Sequence, residues 1–583
     1  MNKQELDILN ILFLEPFINQ RILSEASGHS LGVVNKSIKT LIKEGFLDDT
    51  IRFTKKASQE FQSKAPKNAI ILAAGFGMRM IPINTKIPKA LLEVNGEPLI
   101  ERIIKQLHEV DIKEIYIVVG FMKKKLEYLI NKFHVKLIIN KEYETHNNLH
   151  SLNLAADHLS NTYIIPCDIY CDKNPFRRQE LYSWYMIGDI VDNESNVRVN
   201  RQEELKMIPK KQGGNTMIGI AYLIEEQSSM IKKRLQEYDQ QEKYRNAFWE
   251  ETLYEKDHMM IQARVVHATD VVEINTYEQL RELDEESNQL KSDAISMITK
   301  TLHTTSSKIV DITVLKKGMT NRSFLFMCKN KKYIMRIPGE GTDQLINREE
   351  EAAVYTVINR KGICDDIIYI NPKNGYKITE FIYDARVCNA NNVDDLKLCM
   401  KKLREFHQLK LVVPHEFPIF EKIEFYESLW SDLPSLYKDY KRTKENVFSL
   451  KKYIDPYIGE KCLTHMDAVS DNFLLTKQGD VKLIDWEYAG MQDPHVDIAM
   501  FCIYSLYNKQ QVDQLIDIYF EGTCPYEIRI KIYSYIAVCG LLWSNWCEYK
   551  RSLGVTFGEY AFCQYQYAKD YYKIVREELE KHE

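Results

Sequence analysis

Ala69-Ile70-Ile71-Leu72-Ala73-Ala74-Gly75-Phe76-Gly77-Met78-Arg79-Met80 is an apolar run that ends in two glycines and a cation. The run predicts a buried strand, and the glycines directly behind it predict a tight turn at its C-terminal end. Gly75 and Gly77 allow the backbone to approach a triphosphate, whose oxygens the amides of this turn can cradle. Leu72, Ala74, Gly75 and Gly77 are therefore candidate nucleotide contacts. Arg79 and, after Pro88, Lys89 supply positive charge where pyrophosphate would leave. A lone Gly-x-Gly after a strand is weak evidence, since ordinary strand–helix turns use the same glycines. Arg79, Pro88-Lys89 and Asp168, following in this order, make the phosphate reading the stronger one.

Outward from that strand, Ile115-Tyr116-Ile117-Val118-Val119 and Tyr163-Ile164-Ile165 alternate with amphipathic helical patterns to about residue 285. The alternation predicts a mainly parallel sheet with helices on both faces, over residues 67–285. Ala65-Pro66-Lys67 breaks the pattern before it, and the acidic stretch Asp284 to Asp293 reads as a linker or a solvated helix. The first 64 residues carry short amphipathic helices and a strand, Ile51-Arg52-Phe53-Thr54, without a nucleotide motif.

A second constellation lies between Leu463 and Glu487. His465-x-Asp467-x4-Asn472 is followed by Leu483-Ile484-Asp485-Trp486-Glu487. The spacing puts Asp467 beside an acceptor hydroxyl and Asn472 near Mg2+, with Asp485 at a strand end to hold the metal. An Asp and an Asn five apart are common by chance; their combination with the second motif is not. The surrounding domain, residues 300–583, opens with strands such as Phe324-Leu325-Phe326-Met327 and becomes helix-rich toward its end.

At 583 residues the chain exceeds one hydrophobic core. Its 45% hydrophobic and 28% charged composition is that of a globular protein, and a net charge of −5 excludes a general polyanion binder. No apolar run reaches membrane-spanning length, and the N-terminus lacks a signal-peptide shape, so no membrane insertion is expected. Twelve scattered cysteines without a C-x-x-C pair predict reduced thiols and a cytoplasmic location, and no zinc cluster.

Residues 67–285 resemble the sugar-nucleotide pyrophosphorylase-like nucleotidyltransferases, and among them the bacterial CTP:phosphocholine cytidylyltransferases. The resemblance rests on Ala69 to Gly75, Pro88-Lys89-Ala90-Leu91, Asn147 to Leu152, Pro166-Cys167-Asp168 and Phe248-Trp249-Glu250. It implies a Rossmann-like fold with Asp168 as a metal-binding aspartate. The second metal position falls on Glu273-Ile274-Asn275, where the family has an aspartate; Asn275 can ligate through its carbonyl but brings no charge, and Glu273 could compensate. Trp249 could face a quaternary ammonium, although a tryptophan on a helix is more often buried.

Residues 300–583 resemble the choline/ethanolamine kinase branch of the aminoglycoside-phosphotransferase and protein-kinase-like fold, which implies a bilobal domain. Gly318-Met319-Thr320-Asn321 looks like its nucleotide loop, Arg336 stands at the strand position that contacts ATP phosphates, and Glu351 is the paired acid. His465 would orient the catalytic loop. Trp543, Trp546 and Tyr560 fall on the amine-pocket positions, with Glu487 as an acidic candidate beside them. Residues 1–64 look like a winged helix-turn-helix: Leu31 to Glu44 would be the recognition helix and Ile51 to Lys56 the wing. Lys36, Lys39 and Lys43 could meet DNA phosphates, yet Glu44, Asp48 and Asp49 nearly cancel them, so docking or dimerisation is favoured over DNA.

The expectation is thus a multidomain α/β and α+β chain performing two successive reactions: choline and ATP to phosphocholine, then phosphocholine and CTP to CDP-choline, both with Mg2+. The rivals are the same reactions on ethanolamine or another amino alcohol, and a DNA-binding regulator that uses a catalytic-type domain as a ligand sensor. A homo-oligomer is compatible with either.

Overall fold

The computed structural model describes the chain apart from residues 15–18, 78–79, 81–86, 193–194, 201–202, 210–211, 316–320, 340–344, 431–433, 553–556 and 582–583. Arg79 and residues 318–320 of the expected nucleotide loop therefore lie outside the described residues. Two compact units divide the chain, Met1–Ser296 and Met297–Glu583.

The first unit begins with helices Lys3–Leu14, Gln20–Ser27, Leu31–Lys43 and Lys55–Lys64. Asn19 and Ser30 cap the second and third through their side chains, and Gly28 ends the second with φ 65°. The expected wing is reduced to one bridge, Leu47 to Phe53. Its continuation is cut short because the Thr54 side chain accepts from Ala57 N and starts a helix instead, while Asp48 Oδ1 ties the turn to Thr50 N and Arg52 N. Lys36, Lys39 and Lys43 are exposed, and with Gly32, Asn35 and Thr40 they line an open concavity of about 380 Å³.

This module is seated on the domain that follows. Leu181 completes its core among Ile8, Leu12, Leu41 and Phe61. Tyr182 Oη donates to Asp7 Oδ1 at 2.8 Å, and Asn161 Nδ2 donates to the carbonyls of Ser63 and Ala65 at 2.7 and 3.1 Å. Ala65-Pro66-Lys67 is a junction held on both sides.

The large sheet runs Lys136–Ile139, Glu114–Val119, Asn68–Ala73, Thr162–Pro166, Gly214–Leu223, Trp184–Asp192, His258–Val266, Glu204–Met207, Val197–Val199. The first four strands are parallel, as read from the sequence. Gly214–Leu223 then pairs antiparallel with both neighbours, so the sheet as a whole is mixed. Among the described residues no α-helix separates Trp184 from Leu223, and parallel strands need a crossover. From Asn68–Ala73 the chain first adds strands on one side and then returns to the other with Thr162–Pro166. Ligands of open α/β sheets bind outside the strand ends at such a reversal, which is where Gly75 and Gly77 lie.

Asp284 to Asp293 is no free linker. Asp284 Oδ2 accepts from Asn95 N at 2.8 Å, Ser287 Oγ donates to Glu93 O at 3.1 Å, and Leu290 is buried.

The second unit opens with an antiparallel sheet in the order Val310–Val314, Asn321–Cys328, Lys331–Pro338, Lys377–Glu380, Ile367–Ile370, flanked by the helix Arg348–Ile358. The larger part is helical around Tyr526–Ser552, whose residues from Ile530 to Lys550 are all buried. A helix apolar on all sides belongs in the centre of a core. Short pairings place the two catalytic segments: Cys462–Thr464 with Gly490–Gln492, and Phe473–Thr476 with Val481–Leu483. Among the described residues no helix is long and apolar enough to cross a membrane, and all twelve cysteines are unpaired.

Candidate active sites

In the first unit the strand Thr162–Pro166 delivers Asp168 just beyond its C-terminal end. The short strand Val271–Glu273 pairs with Ile169–Cys171, and Ile274 N donates to Asp168 O at 2.9 Å, which brings Asn275 alongside. Asn275 N is fixed on Gln279 Oε1 at 2.7 Å, within the capping box of the next helix. Lys89 Nζ, on a buried side chain, donates to Asp168 Oδ2 and, at 2.7 Å, to Asn275 Oδ1. Asp168 Oδ1 is buried without a hydrogen-bond partner. Around it the turn is tight: a Cβ on Gly120 would lie 2.8 Å from Ala74 O, which itself accepts from Phe121 N at 3.0 Å. Leu72 O accepts from Cys167 N at 3.2 Å, while Gly75 is exposed and Gly77 has φ 65°.

The orphaned oxygen of Asp168 and the Asn275 carbonyl are hard oxygen donors of the kind Mg2+ takes. Among the described residues no group of three or more His, Cys, Asp or Glu could hold a metal by itself. The donor set therefore fits an ion shared with nucleotide phosphates, the usual arrangement for Mg2+.

In the second unit, His465 N and Met466 N donate to the two oxygens of the buried Asp497 at 2.9 and 2.7 Å. Asp497 also receives His407 Nε2 at 3.0 Å. Burial lowers the His465 pKa to about 4, so its ring is neutral: Nε2 donates to Ile484 O at 2.9 Å and Nδ1 accepts from Asp467 N at 3.2 Å. His465 thereby fastens the catalytic loop to the Asp485 strand. Asn472 Nδ2 donates to Asp467 O and Oδ2 at 2.9 and 3.2 Å, and Ile484 N donates to Asn472 O. Burial, then the Asp485 and Glu487 charges, push the Asp467 carboxyl up to about 8. Asp485 has φ 68°, a left-handed conformation costly for a non-glycine residue and retained most often at functional sites.

Arg336 and Glu351 form a two-bonded, fully buried pair; Nη2 reaches Glu351 Oε2 at 2.8 Å and Gly375 O at 2.9 Å. Burial opposes ionisation of Glu351, yet Arg336, Lys377 and Arg348 hold its carboxyl down to about 2. Trp543 and Trp546 have ring centroids 5.3 Å apart on the long helix. Tyr488 lies 5.8 Å from Trp543, and the half-buried Tyr560 lies 6.4 Å from Tyr504.

Residues 312–566 match the choline/ethanolamine kinase family model, residues 69–179 the MobA-like NTP transferase domain, and residues 1–48 a winged helix-turn-helix DNA-binding model. The choline-phosphate cytidylyltransferase of Haemophilus influenzae is 30% identical over 188 residues, which are 31% of this chain and 81% of that protein. The chain belongs to the choline-phosphate cytidylyltransferase family. The enzyme of that name from Streptococcus pneumoniae is 45% identical over 117 residues, 20% of this chain and about half, 51%, of the relative. The crystal structure of choline kinase LicA from Streptococcus pneumoniae is 29% identical, covering 48% of this chain and 99% of that one with a TM-score of 0.43. The chain thus joins a cytidylyltransferase-like domain to a choline kinase-like domain, behind a winged helix.

Two expected substrate contacts are corrected by the geometry. Trp249 is 1% exposed, in the core with Tyr185 and Leu253, so its ring presents no open face to a ligand. Glu487 is not directed at an amine: its Oε2 accepts from Asn321 Nδ2 at 2.8 Å and from Arg348 Nη1 at 3.2 Å. With Arg336 Nη1 also 3.9 Å away, this carboxylate is worth more between two guanidiniums than beside a diffuse cation. Asn321, expected at the nucleotide, is occupied in the same cluster. The charge of Glu273, expected to compensate at the metal position, acts on Glu250 and Tyr185.

Glu250, next to Trp249, was legible only as part of a motif. Tyr185 Oη donates to its Oε1 at 2.9 Å, Oε2 is buried without a partner, and burial raises its pKa to about 7. A raised carboxyl contributes stability that is complete below its unfolded pKa and is lost as pH rises through 7. Glu250→Gln should therefore stabilise the ligand-free protein at pH 8, by on the order of 2 kcal/mol, and leave it unchanged at pH 4.5. Thermal melting of both proteins at the two pH values checks this; an equal gain at both would remove the charge as its cause.

Proposed function

We propose that the chain is a bifunctional enzyme that phosphorylates choline with ATP and then couples phosphocholine to CTP, giving CDP-choline and pyrophosphate. The observation that carries the reading is the presence, in one chain, of the Asp467–Asn472 loop beside Asp485 and of the Lys89–Asp168–Asn275 triad. The first makes a phosphate monoester and the second activates one.

In the kinase reaction Asp467, in its ionised form, orients the choline hydroxyl and accepts its proton as oxygen attacks the γ-phosphorus. Asn472 and Asp485 would hold Mg2+. Arg336, braced by Glu351, supplies fixed positive charge on the nucleotide side. In the transferase reaction the phosphocholine oxygen, already anionic, attacks the α-phosphorus in line. Its bond to phosphorus forms as the bridge to the β-phosphate breaks, so no general base is needed. Asp168 and Asn275 would hold Mg2+ there, and Lys89 and Arg79 would neutralise the departing pyrophosphate. When bound, Mg2+ offsets phosphate charge at both sites.

The amine is read as choline because Trp543, Trp546 and Tyr560 stand at the amine-pocket positions, and the Trp546 ring, although 1% exposed, already holds a cation, the Lys550 ammonium, over its face. Trp546→Ala should weaken choline by about thirtyfold, the loss of roughly 2 kcal/mol of desolvated cation–π contact, and ATP by much less. Ethanolamine, more strongly hydrated, should lose less than choline. Steady-state KM values for the three ligands decide it: equal losses would make Trp546 a packing residue and leave the amine open to another amino alcohol. The winged helix, bound to the transferase through Asp7, Leu181 and Asn161, serves as a docking module in this reading.

A further inference from the structure

Along the helix Tyr526–Ser552, Trp543 and Trp546 are followed by Lys550, three and then four residues on, so all three share one face. Lys550 is 8% exposed, an unusual depth for a lysine without a counter-ion. Its ammonium lies over the Trp546 ring at 5.3 Å from the centroid and over the Tyr549 ring at 6.0 Å. Among the described residues it has no hydrogen bond and no ion pair. The nearest acid in sequence, Glu548, is committed elsewhere: Oε1 accepts from Ser435 Oγ and Leu436 N, and Oε2 from Arg551 Nε at 2.9 Å. Burial lowers the Lys550 pKa, with the Glu487 charge working against it, so the ammonium stands within the field of the kinase centre.

A lysine could extend its flexible stem toward water and does not; the ring face of Trp546 holds its cation instead. We propose that Lys550 is a tethered competitor for the cation seat on Trp546, which the amine must displace in order to bind. The inference rests on the amine-kinase reading above. It makes Lys550 a residue that sets amine affinity rather than one that touches the reacting atoms. The same contact describes the seat. Among the described residues the Lys550 ammonium finds no acceptor there, so a primary ammonium gives up its hydrogen bonds to sit in it, whereas a trimethylammonium gives up none. The seat selects cations without N–H, and Lys550 taxes every amine equally.

Lys550→Met keeps the apolar stem and removes the charge. In the full chain, KM for choline and for ethanolamine should both fall about three- to tenfold, the weight of one partly desolvated cation–π contact. KM for ATP should stay, with kcat within about twofold. Lys550→Arg, whose guanidinium also stacks on tryptophan, should retain the wild-type choline KM. Direct calorimetric titration of choline should show the same gain in affinity for Lys550→Met. A choline KM that is unmoved or raised in a Lys550→Met protein of wild-type Tm overturns the inference alone. A fall that ATP shares equally also overturns it, since that would mark a general change of the fold. A wild-type enzyme that phosphorylates no amine overturns the parent reading and this one with it.

Discussion

Asp467→Asn is expected to lower kcat for choline phosphorylation by about a hundred- to ten-thousandfold, the usual worth of a positioned base. CTP-dependent conversion of supplied phosphocholine should be unchanged. The motive is local. Asp467 is the carboxylate that the loop delivers, through Asp497 below it and Asn472 beside it, to the position of an acceptor hydroxyl. An asparagine there can keep the shape of the loop and cannot take a proton. The transferase residues Lys89, Asp168 and Asn275 belong to the other compact unit. Separate assays of the two half-reactions check the prediction. Loss of both activities in a protein that still melts cooperatively at the wild-type temperature would contradict the two-site account.

Lys89→Ala should produce the reverse pattern. Lys89 carries the positive charge between Asp168 and Asn275, where the triphosphate would part, and its burial keeps solvent from screening it. A charge-assisted contact that strengthens as pyrophosphate leaves is worth roughly 3 kcal/mol, on the order of a hundredfold in the rate of cytidylyl transfer. Removing one partner of a buried pair also leaves Asp168 uncompensated, so melting must accompany the kinetics. A folded Lys89→Ala protein with an unchanged transfer rate would place the leaving group elsewhere.

What the sequence disclosed about these sites follows from how local each feature is. Ala69 to Gly77 states a strand and its turn in neighbouring residues, and Asp467 with Asn472 states a loop. Both could be read without the fold. The mixed half of the sheet could not, because antiparallel pairing there follows from the missing crossover between Trp184 and Leu223. Glu487 was misread as an amine partner because its real partner, Asn321, is 166 residues away in the chain. Asp497, which anchors the catalytic loop through His465 N and Met466 N, carries no motif at all; it is an aspartate on a helix until the fold closes around it. Trp249 shows the opposite limit. Its ring could be read as facing a quaternary ammonium, and the fold instead packs it with Tyr185 and Leu253 in the core.

The most direct test of the two-step account is incubation of the wild-type chain with isotopically labelled choline, ATP, CTP and Mg2+, with products followed by mass spectrometry over time. The account predicts labelled phosphocholine first and labelled CDP-choline with pyrophosphate after it. It also predicts that omitting ATP stops both products, and that omitting CTP stops only the second. Failure to form CDP-choline from choline, while either half-reaction proceeds on another amino alcohol, would contradict the choline assignment; failure of both half-reactions on every amine would contradict the enzyme itself.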